Sequence, residues 1–264
     1  MTDDGDQQPR LGSRNPRVQQ VRRLASSRRS RASAGQFVLE GPTLVAEALD
    51  ADVAVLDAFH EPATDAALLE RLRDAGVACH AVREGVLEAA GDAVASQGIL
   101  AVAAIPDRRL DDVPRERAVL VLVGVADPGN AGTLIRVAEA AAFGAVLFTA
   151  GSVDPWSPKV VRASAGSVLR VPVISTGAAH AVLDDLRDRG RRRIGTRAVD
   201  AVEYTEVPFP RGVAIVVGNE AHGLDPALDA HLDEWVRIPM AGAVESLNVA
   251  MAGTLLAFEV ARRG

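Results

Sequence analysis

Apolar and polar positions alternate in two separate sets along the 264-residue chain. In the first set, Gln36-Phe37-Val38-Leu39-Glu40, Val53 to Phe59, Val77 to Ala81 and Ile99 to Ile105 read as strands, being short apolar runs bounded by turn residues. Between them the helical period predicts helices from Gly41-Pro42 to Leu49, from Thr64 to Ala75 (closed by Gly76), and a short one over Gly85 to Ala90. Asn15-Pro16 has the form of an N-cap and first helical residue, so a basic helix is expected from Pro16 to about Ser27. The second set opens with Ala118 to Val125, a continuous apolar run of the kind found in a parallel strand covered on both faces. Strands are expected at Ala145 to Thr149, Val171 to Ile174, Arg193 to Thr196, Gly212 to Val217 and Trp235 to Ile238. Helices are expected at Ala131 to Ala142, Pro158 to Ala165, Ala178 to Arg189 and Ser246 to Arg262. This alternation with short loops predicts an α/β protein whose second part is a parallel, doubly wound sheet.

The predicted organisation has four parts. Residues 1–13 read as a disordered tail, 14–106 as a small α/β domain, 107–117 as a linker and 118–264 as the larger domain. The linker assignment rests on the polar run from Pro106 to Arg117, which carries two prolines.

Composition narrows the function classes. Hydrophobic residues at 48% and charged residues at 24% describe an ordinary globular chain. The one cysteine, Cys79, precludes an intrachain disulfide and a Cys/His metal cluster, so no metal is expected, and Cys79 itself reads as an inert buried thiol. No run approaches the ~20 apolar residues that span a bilayer, and the N-terminus lacks the apolar core of a signal peptide. With the cysteine usage, this predicts a cytoplasmic protein without a membrane partner. Net charge is −6, but eight arginines and no acid lie between Gln7 and Gln36. Such a stretch is either a solvated tail or an arm that contacts phosphates.

In sheets of this kind ligands bind beyond the carboxyl ends of the strands. Three segments stand there, namely 125–136 (with Asn130 and Arg136), 217–224 (with Gly218, Asn219, Glu220, His222 and Gly223) and 238–249 (with Ile238, Met240, Ser246, Leu247 and Asn248). Each sets glycines among polar side chains, which lets backbone approach a flat ligand. Gly129 and Gly132 give only G-x-x-G, so no dinucleotide fingerprint is present, and the one lysine, Lys159, is not in a P-loop. There is no G-x-S-x-G elbow for a serine hydrolase. Arg136 falls on an otherwise apolar helix, where it could pair with Glu139 or bind a phosphate bidentately.

Together the three segments, in this order, resemble the motifs of the SpoU (TrmH-type) branch of the SPOUT RNA methyltransferases. The residues that carry the likeness are Asn130 and Arg136; Gly218-Asn219-Glu220 and Gly223; Ile238-Pro239-Met240; and Ser246-Leu247-Asn248-Val249, with Ser157 to Gly166 as a fourth block. The N-terminal part resembles, less sharply, the family's ribosomal-protein-like substrate-binding domain, through Arg28, Arg31, Gly35, Phe37, Glu40 and Gly41. The resemblance implies a deep C-terminal trefoil knot, a homodimer whose active site is completed across the interface, and S-adenosylmethionine as cofactor. By position, Gly218, Glu220, Ile238, Met240, Ser246 and Leu247 would bind the cofactor. Arg136, Asn130, Glu220, Ser246 and Asn248 would form the catalytic set, with Asn130 holding Arg136 or the ribose, and Arg28, Arg31 and Arg162 would contact RNA. The implied activity is 2′-O-ribose methylation of structured RNA, 23S ribosomal RNA being preferred because transfer-RNA members of the branch typically lack an N-terminal domain. A non-catalytic RNA-binding or ribosome assembly factor and a transfer-RNA methyltransferase remain the alternatives.

Overall fold

A computed structural model describes residues 10–91 and 97–263. The chain divides into two compact units: the first runs to Pro106 and includes Trp156–Arg162, the second comprises Asp107–Pro155 and the chain from Ala163 onward.

The first unit holds α1 (Pro16–Ser26), α2 (Arg28–Ala34), β1 (Gln36–Glu40), α3 (Pro42–Asp50), β2 (Val55–His60), α4 (Ala66–Asp74), β3 (Ala78–Ala81) and β4 (Ile99–Ala104). The sheet order is β1-β4-β2-β3, antiparallel except for the parallel β2–β3 pair. The Asn15 side chain accepts from the Arg17 N–H and Pro16 opens the helix, so α1 starts where its cap chemistry dictates. Its buried stripe, Val18, Val21 and Leu24, packs with Val38, Phe59, Val82 and Leu100. Helix α2 escapes the hydrophobic pattern because RRSRASA has no apolar stripe; Ser27 caps it and Gly35 closes it in the left-handed conformation.

Three expectations need correcting here. Residues 84–90 form successive turns instead of a helix, with Gly85 at φ 76°. Of the tail, residues 1–9 lie outside the described residues. Leu11, however, is held by backbone hydrogen bonds to Ala81 and Arg83 and packs on the first unit's core. Cys79 is half-buried, and its thiol is pushed up by burial.

The second unit holds β5 (Val119–Leu122), α5 (Pro128–Ala140), β6 (Ala145–Phe148), then, beyond α6 (Pro158–Ala163), α7 (Ser167–Arg170), β7 (Val173–Ser175), α8 (Ala179–Asp188), β8 (Arg193–Thr196), β9 (Val202–Glu203), β10 (Ala214–Val217), β11 (Glu234–Arg237) and α9 (Val249–Arg263). All its strand pairs are parallel, in the order β7-β6-β5-β10-β8-β11-β9. The α/β parallel-sheet class expected from the sequence is thus present, as is burial on both faces: every residue of β5, β6 and β10 is buried. The segment expected as a linker is not free. It belongs to the second unit from Asp107, contains a 3₁₀ turn at Leu110–Asp112 and buries Val113 in the core with Val119 and Leu147. Close packing of small residues brings α9 onto α5, since a Cβ on Gly253 would lie 2.4 Å from the Leu134 side chain.

Candidate cofactor cleft

Three loops leave the carboxyl ends of β5, β10 and β11. After β5, Asp127 caps α5 by accepting from the Asn130 N–H at 2.8 Å, with Pro128 in the first turn. After β10, Asn219 and Gly223 exchange two backbone hydrogen bonds, at 3.0 and 2.8 Å, which closes a tight loop. The Asn219 side chain donates to the Gly124 carbonyl at 2.8 Å and accepts from the Ala221 N–H at 2.9 Å. Gly218 sits at the neck of this loop. A Cβ there would stand 2.2 Å from the Gly223 carbonyl carbon, so no side chain fits. After β11, the chain returns to α9, whose first turn is capped by Asn248, accepting from the Ala250 N–H at 2.8 Å.

Glu220 joins the first two loops. Its carboxylate accepts from the Ala126 N–H at 3.1 Å, the Asp127 N–H at 2.9 Å and the Asn130 amide at 3.1 Å. Asn130 in turn accepts from the Asn248 amide at 2.9 Å, which brings in the third. Burial alone would raise the Glu220 carboxyl, but the hydrogen bonds from Ala126, Asn130 and Asp127 outweigh it and hold the group below its ordinary value. It is a fixed carboxylate whose oxygens are already engaged.

Around these loops lies a cleft of about 320 Å³. Gly218, Glu220, Ile238, Met240, Ser246 and Leu247, the six positions expected at a cofactor, all line it. Two further contributors were not foreseen. Thr196, Arg197 and Ala198 enter from the end of β8, and Val249, Ala252 and Leu256 from α9. The β8 strand was legible in the sequence, and its carboxyl end follows the same rule as the other three strand ends. Arg197 is fixed there by stacking on Trp235, 4.7 Å from the ring centroid.

The other expected residues lie elsewhere. Arg136 is exposed on α5, outside the cleft lining, and has no hydrogen-bond or ion-pair partner among the described residues. Asn130 does not hold it, because both ends of the Asn130 amide are taken by Glu220 and Asn248. Glu139, the alternative partner of Arg136, pairs with Arg170 at 2.5 Å instead. Among the expected RNA contacts, Arg28 is exposed, whereas Arg31 is buried and donates to the Leu24 and Ala25 carbonyls at 2.5 and 3.1 Å. Its guanidinium satisfies the end of α1 and is not presented to solvent. Arg162 is paired with the buried carboxylate of Glu40.

A parallel α/β sheet with one cleft built from backbone-rich loops at the ends of β8, β10 and β11 defines the class as a ligand-binding α/β domain of the switch-point type. Residues 117–258 match the model of the SpoU rRNA Methylase family and residues 15–101 that of the MRM3-like substrate binding domain, and the chain belongs to the SpoU rRNA methylase family. It is 32% identical over 94% of its length to the 23S rRNA (guanosine(2553)-2′-O)-methyltransferase RlmP of Bacillus subtilis, 97% of which is covered. The SpoU methyltransferase AviRb from Streptomyces viridochromogenes in complex with the cofactor AdoMet is similar in structure, with TM-score 0.88, 27% identity and coverage of 94% of this chain and 98% of that one. A structure concerned with 2-OH methylation of C/U34 on tRNA matches at TM-score 0.51 and 31% identity, covering 97% of that chain but 56% of this one.

Proposed function

We propose that the protein transfers a methyl group from S-adenosylmethionine to a ribose 2′-hydroxyl of 23S ribosomal RNA. The observation that carries this reading is the convergence of Gly218, from the loop after β10, with Ile238 and Leu247, from the loop after β11, on one cleft that Glu220, Asn130 and Asn248 tie together. The cleft suits the cofactor: its glycine-lined backbone can approach a flat purine, and Met240, Leu247 and Leu256 offer apolar surface. Among the described residues, no cluster suited to a metal ion is present.

When bound, the cofactor supplies a methyl group already activated on a sulfonium. A ribose hydroxyl is a weak nucleophile at neutral pH, so the protein's task is to orient it in line and let its proton depart. Arg136 serves as a clamp on the adjacent phosphate that aligns the hydroxyl, the proton leaving to phosphate or water. Ser246 is free to meet the substrate edge, while Glu220, Asn130 and Asn248 hold the loops in register.

Ribosomal RNA is favoured over transfer RNA because the RlmP relative matches along both units, whereas the tRNA-related structure matches little more than half of the chain. The exposed arginines of α1 and α2, Arg22, Arg23, Arg28 and Arg29, supply a basic surface for RNA phosphates. A second copy of the chain completes the site. Met251, Leu255 and Phe258, exposed by 61%, 42% and 50%, form an i, i+4, i+7 apolar stripe on α9. Helix α9 packs on α5, which carries the exposed Arg136. The trefoil knot expected from the sequence belongs to the same reading. No helix among the described residues is long and apolar enough to cross a membrane, in keeping with a cytoplasmic enzyme. Incubation with labelled S-adenosylmethionine and bulk RNA, followed by mapping of the modified ribose, tests the proposal; label appearing only in transfer RNA would overturn the substrate.

A further inference from the structure

The cleft at the ends of β8, β10 and β11 has four titratable side chains in its lining, Arg197, Glu220, His222 and Glu245, all of them exposed. Arg197 is the one arginine among the lining residues, and no lysine joins it. Burial would raise the Glu220 carboxyl, but its hydrogen bonds from Ala126, Asn130 and Asp127 hold it below the ordinary value, so it stays a carboxylate. Glu245 lies in the loop between β11 and α9, and its side chain has no hydrogen-bond or ion-pair partner among the described residues.

Arg197 directly follows β8, and its backbone N–H donates to the Val236 carbonyl at 3.1 Å, which ties this strand end to β11. The guanidinium stacks on Trp235, 4.7 Å from the ring centroid, and its Nη2 donates to the Asp200 carbonyl. A ring and a carbonyl orient a guanidinium without neutralising it, and Arg197 forms no ion pair among the described residues. Stacking occupies the face of the group, whereas its N–H donors point outward in the plane. Asp200 takes one of those donors, and whichever Nη2 proton it uses, one complete pair of neighbouring N–H groups is left for an acceptor.

We propose that Arg197 binds the α-carboxylate of S-adenosylmethionine, an assignment that rests on the methyltransferase reading of this cleft. The cofactor carries a sulfonium, an α-ammonium and an α-carboxylate. The lining offers the complementary set, two carboxylates and one guanidinium. With Arg197 on the carboxylate, Glu220 and Glu245 offset the two cationic groups. Glu220 does so as a fixed charge, since its oxygens are already engaged, and Glu245 is open to direct contact. A planar fork suits a carboxylate because it donates two parallel hydrogen bonds. The Trp235 stack has ordered the side chain beforehand, so less rotamer freedom remains to be lost on binding. Arg197 is thus a determinant of specificity for the amino-acid end of the cofactor, distinct from the backbone groups of Gly218, Ile238 and Leu247 that suit the adenosine.

The test is calorimetry on the wild type, Arg197→Gln, Arg197→Lys and His222→Gln with three ligands. These are S-adenosylmethionine, its decarboxylated form, which lacks only the carboxylate, and 5′-methylthioadenosine, which lacks the whole amino-acid end. Arg197→Gln should lower the preference for S-adenosylmethionine over the decarboxylated form about fivefold, the upper end for an ion pair open to solvent. Arg197→Lys keeps the charge but not the fork and should lower it about twofold, while 5′-methylthioadenosine binds all four proteins alike. Equal losses for the first two ligands would make Arg197 a support of the β8 loop and overturn the assignment. Should Arg197→Gln bind none of the three, Arg197→Lys decides by the same ratio, a fall supporting the assignment and no fall overturning it. A preference lowered by His222→Gln and unchanged by Arg197→Gln would give the carboxylate to the imidazole instead. Anisotropy with a labelled single-stranded RNA is run alongside. A salt slope lower by about 0.7 in Arg197→Gln, with the ligand preference intact, would place the guanidinium on an RNA phosphate and likewise overturn the assignment. No heat from the wild type with S-adenosylmethionine would sink the methyltransferase reading and this assignment with it, whereas heat with an unchanged preference sinks this assignment alone.

Discussion

The Asn130 amide donates to the Glu220 carboxylate at 3.1 Å across ninety residues of sequence. Two polar side chains that a catalytic reading would place on the substrate are thereby spent on each other, and the carboxylate also holds the Ala126 and Asp127 N–H groups. Glu220→Ala would strand three donors, and charge-assisted hydrogen bonds of this kind contribute about 1.5–3 kcal/mol each before solvent screening. Because Glu220 is exposed, the lower end applies, and the expected result is at least a tenfold loss in S-adenosylmethionine affinity by calorimetry. A variant that bound normally but lost only turnover would instead make Glu220 a catalytic residue.

The same carboxylate gives a pH prediction. Its folded-state pKa lies below the ordinary 4.5, so its contribution is fully present above that value and is lost as pH falls through the lower folded one. Cofactor affinity should therefore not titrate through Glu220 between about pH 5 and about pH 8. An inflection in that window that disappears in Glu220→Gln would contradict the assignment.

Gly218→Ala tests the neck of the β10 loop. The added methyl would lie within 2.4 Å of three backbone atoms of Gly223 and Leu224, none of which is the end of a flexible side chain. Overpacking of this sort costs about 1–3 kcal/mol, and here it would also widen the loop that lines the cleft. A fall in Tm together with loss of cofactor binding is expected; wild-type values for both would show that the loop has room.

How far the sequence spoke depended on whether structure was encoded locally. Strands β5 and β10 were legible because buried parallel strands are continuous apolar runs, and α1 because Asn15 and Pro16 carry their cap chemistry with them. Pairings distant in sequence left no such mark. Leu11 is ordered by Val82 and Val113 by the second core, so a tail and a linker were expected where the chain is packed. Residues 84–90 have helical composition, but Gly85 at φ 76° breaks the run into turns. At the cleft, spacing suggested the three glycine-bearing loops, but not that Asn130 would turn to Glu220 and away from Arg136, a choice made by the β10 loop in three dimensions. Arg31 likewise has nothing local to distinguish it from its exposed neighbours.

Arg136 is exposed and has no partner among the described residues, so its replacement should leave folding untouched. Arg136→Ala is expected to keep Tm within about 1 °C, since an exposed side chain without partners contributes less than about 0.5 kcal/mol. It should also keep cofactor affinity, because it does not line the cleft, yet lower kcat by about a hundredfold as the hydroxyl loses its orienting cation. Full methylation by the variant in a single-turnover assay would remove Arg136 from the mechanism.

Phe258 tests the second copy. It is half exposed on α9 beside Leu255 in a stripe that a water-facing helix would not need. Phe258→Glu should convert a dimer to a monomer in light scattering, with little change in the fold, and should abolish methylation if Arg136 acts across the interface. A wild-type protein that is a monomer and active at nanomolar concentration would refute the arrangement.

Arg28 and Arg31 are three residues apart on one short helix, and their environments assign them opposite roles. Arg31 is buried against the Leu24 and Ala25 carbonyls, where truncation leaves acceptors without donors, at a cost of about 1–3 kcal/mol. Arg28 is exposed, so its removal should weaken RNA binding, lowering the salt slope by about 0.7 for a single-stranded contact, and cost less stability than removal of the buried Arg31. Thermal melts and anisotropy titrations of Arg28→Ala and Arg31→Ala should thus separate the pair, one losing RNA affinity and the other Tm. The reverse outcome would mean that the α1–α2 junction is held by something other than the Arg31 guanidinium.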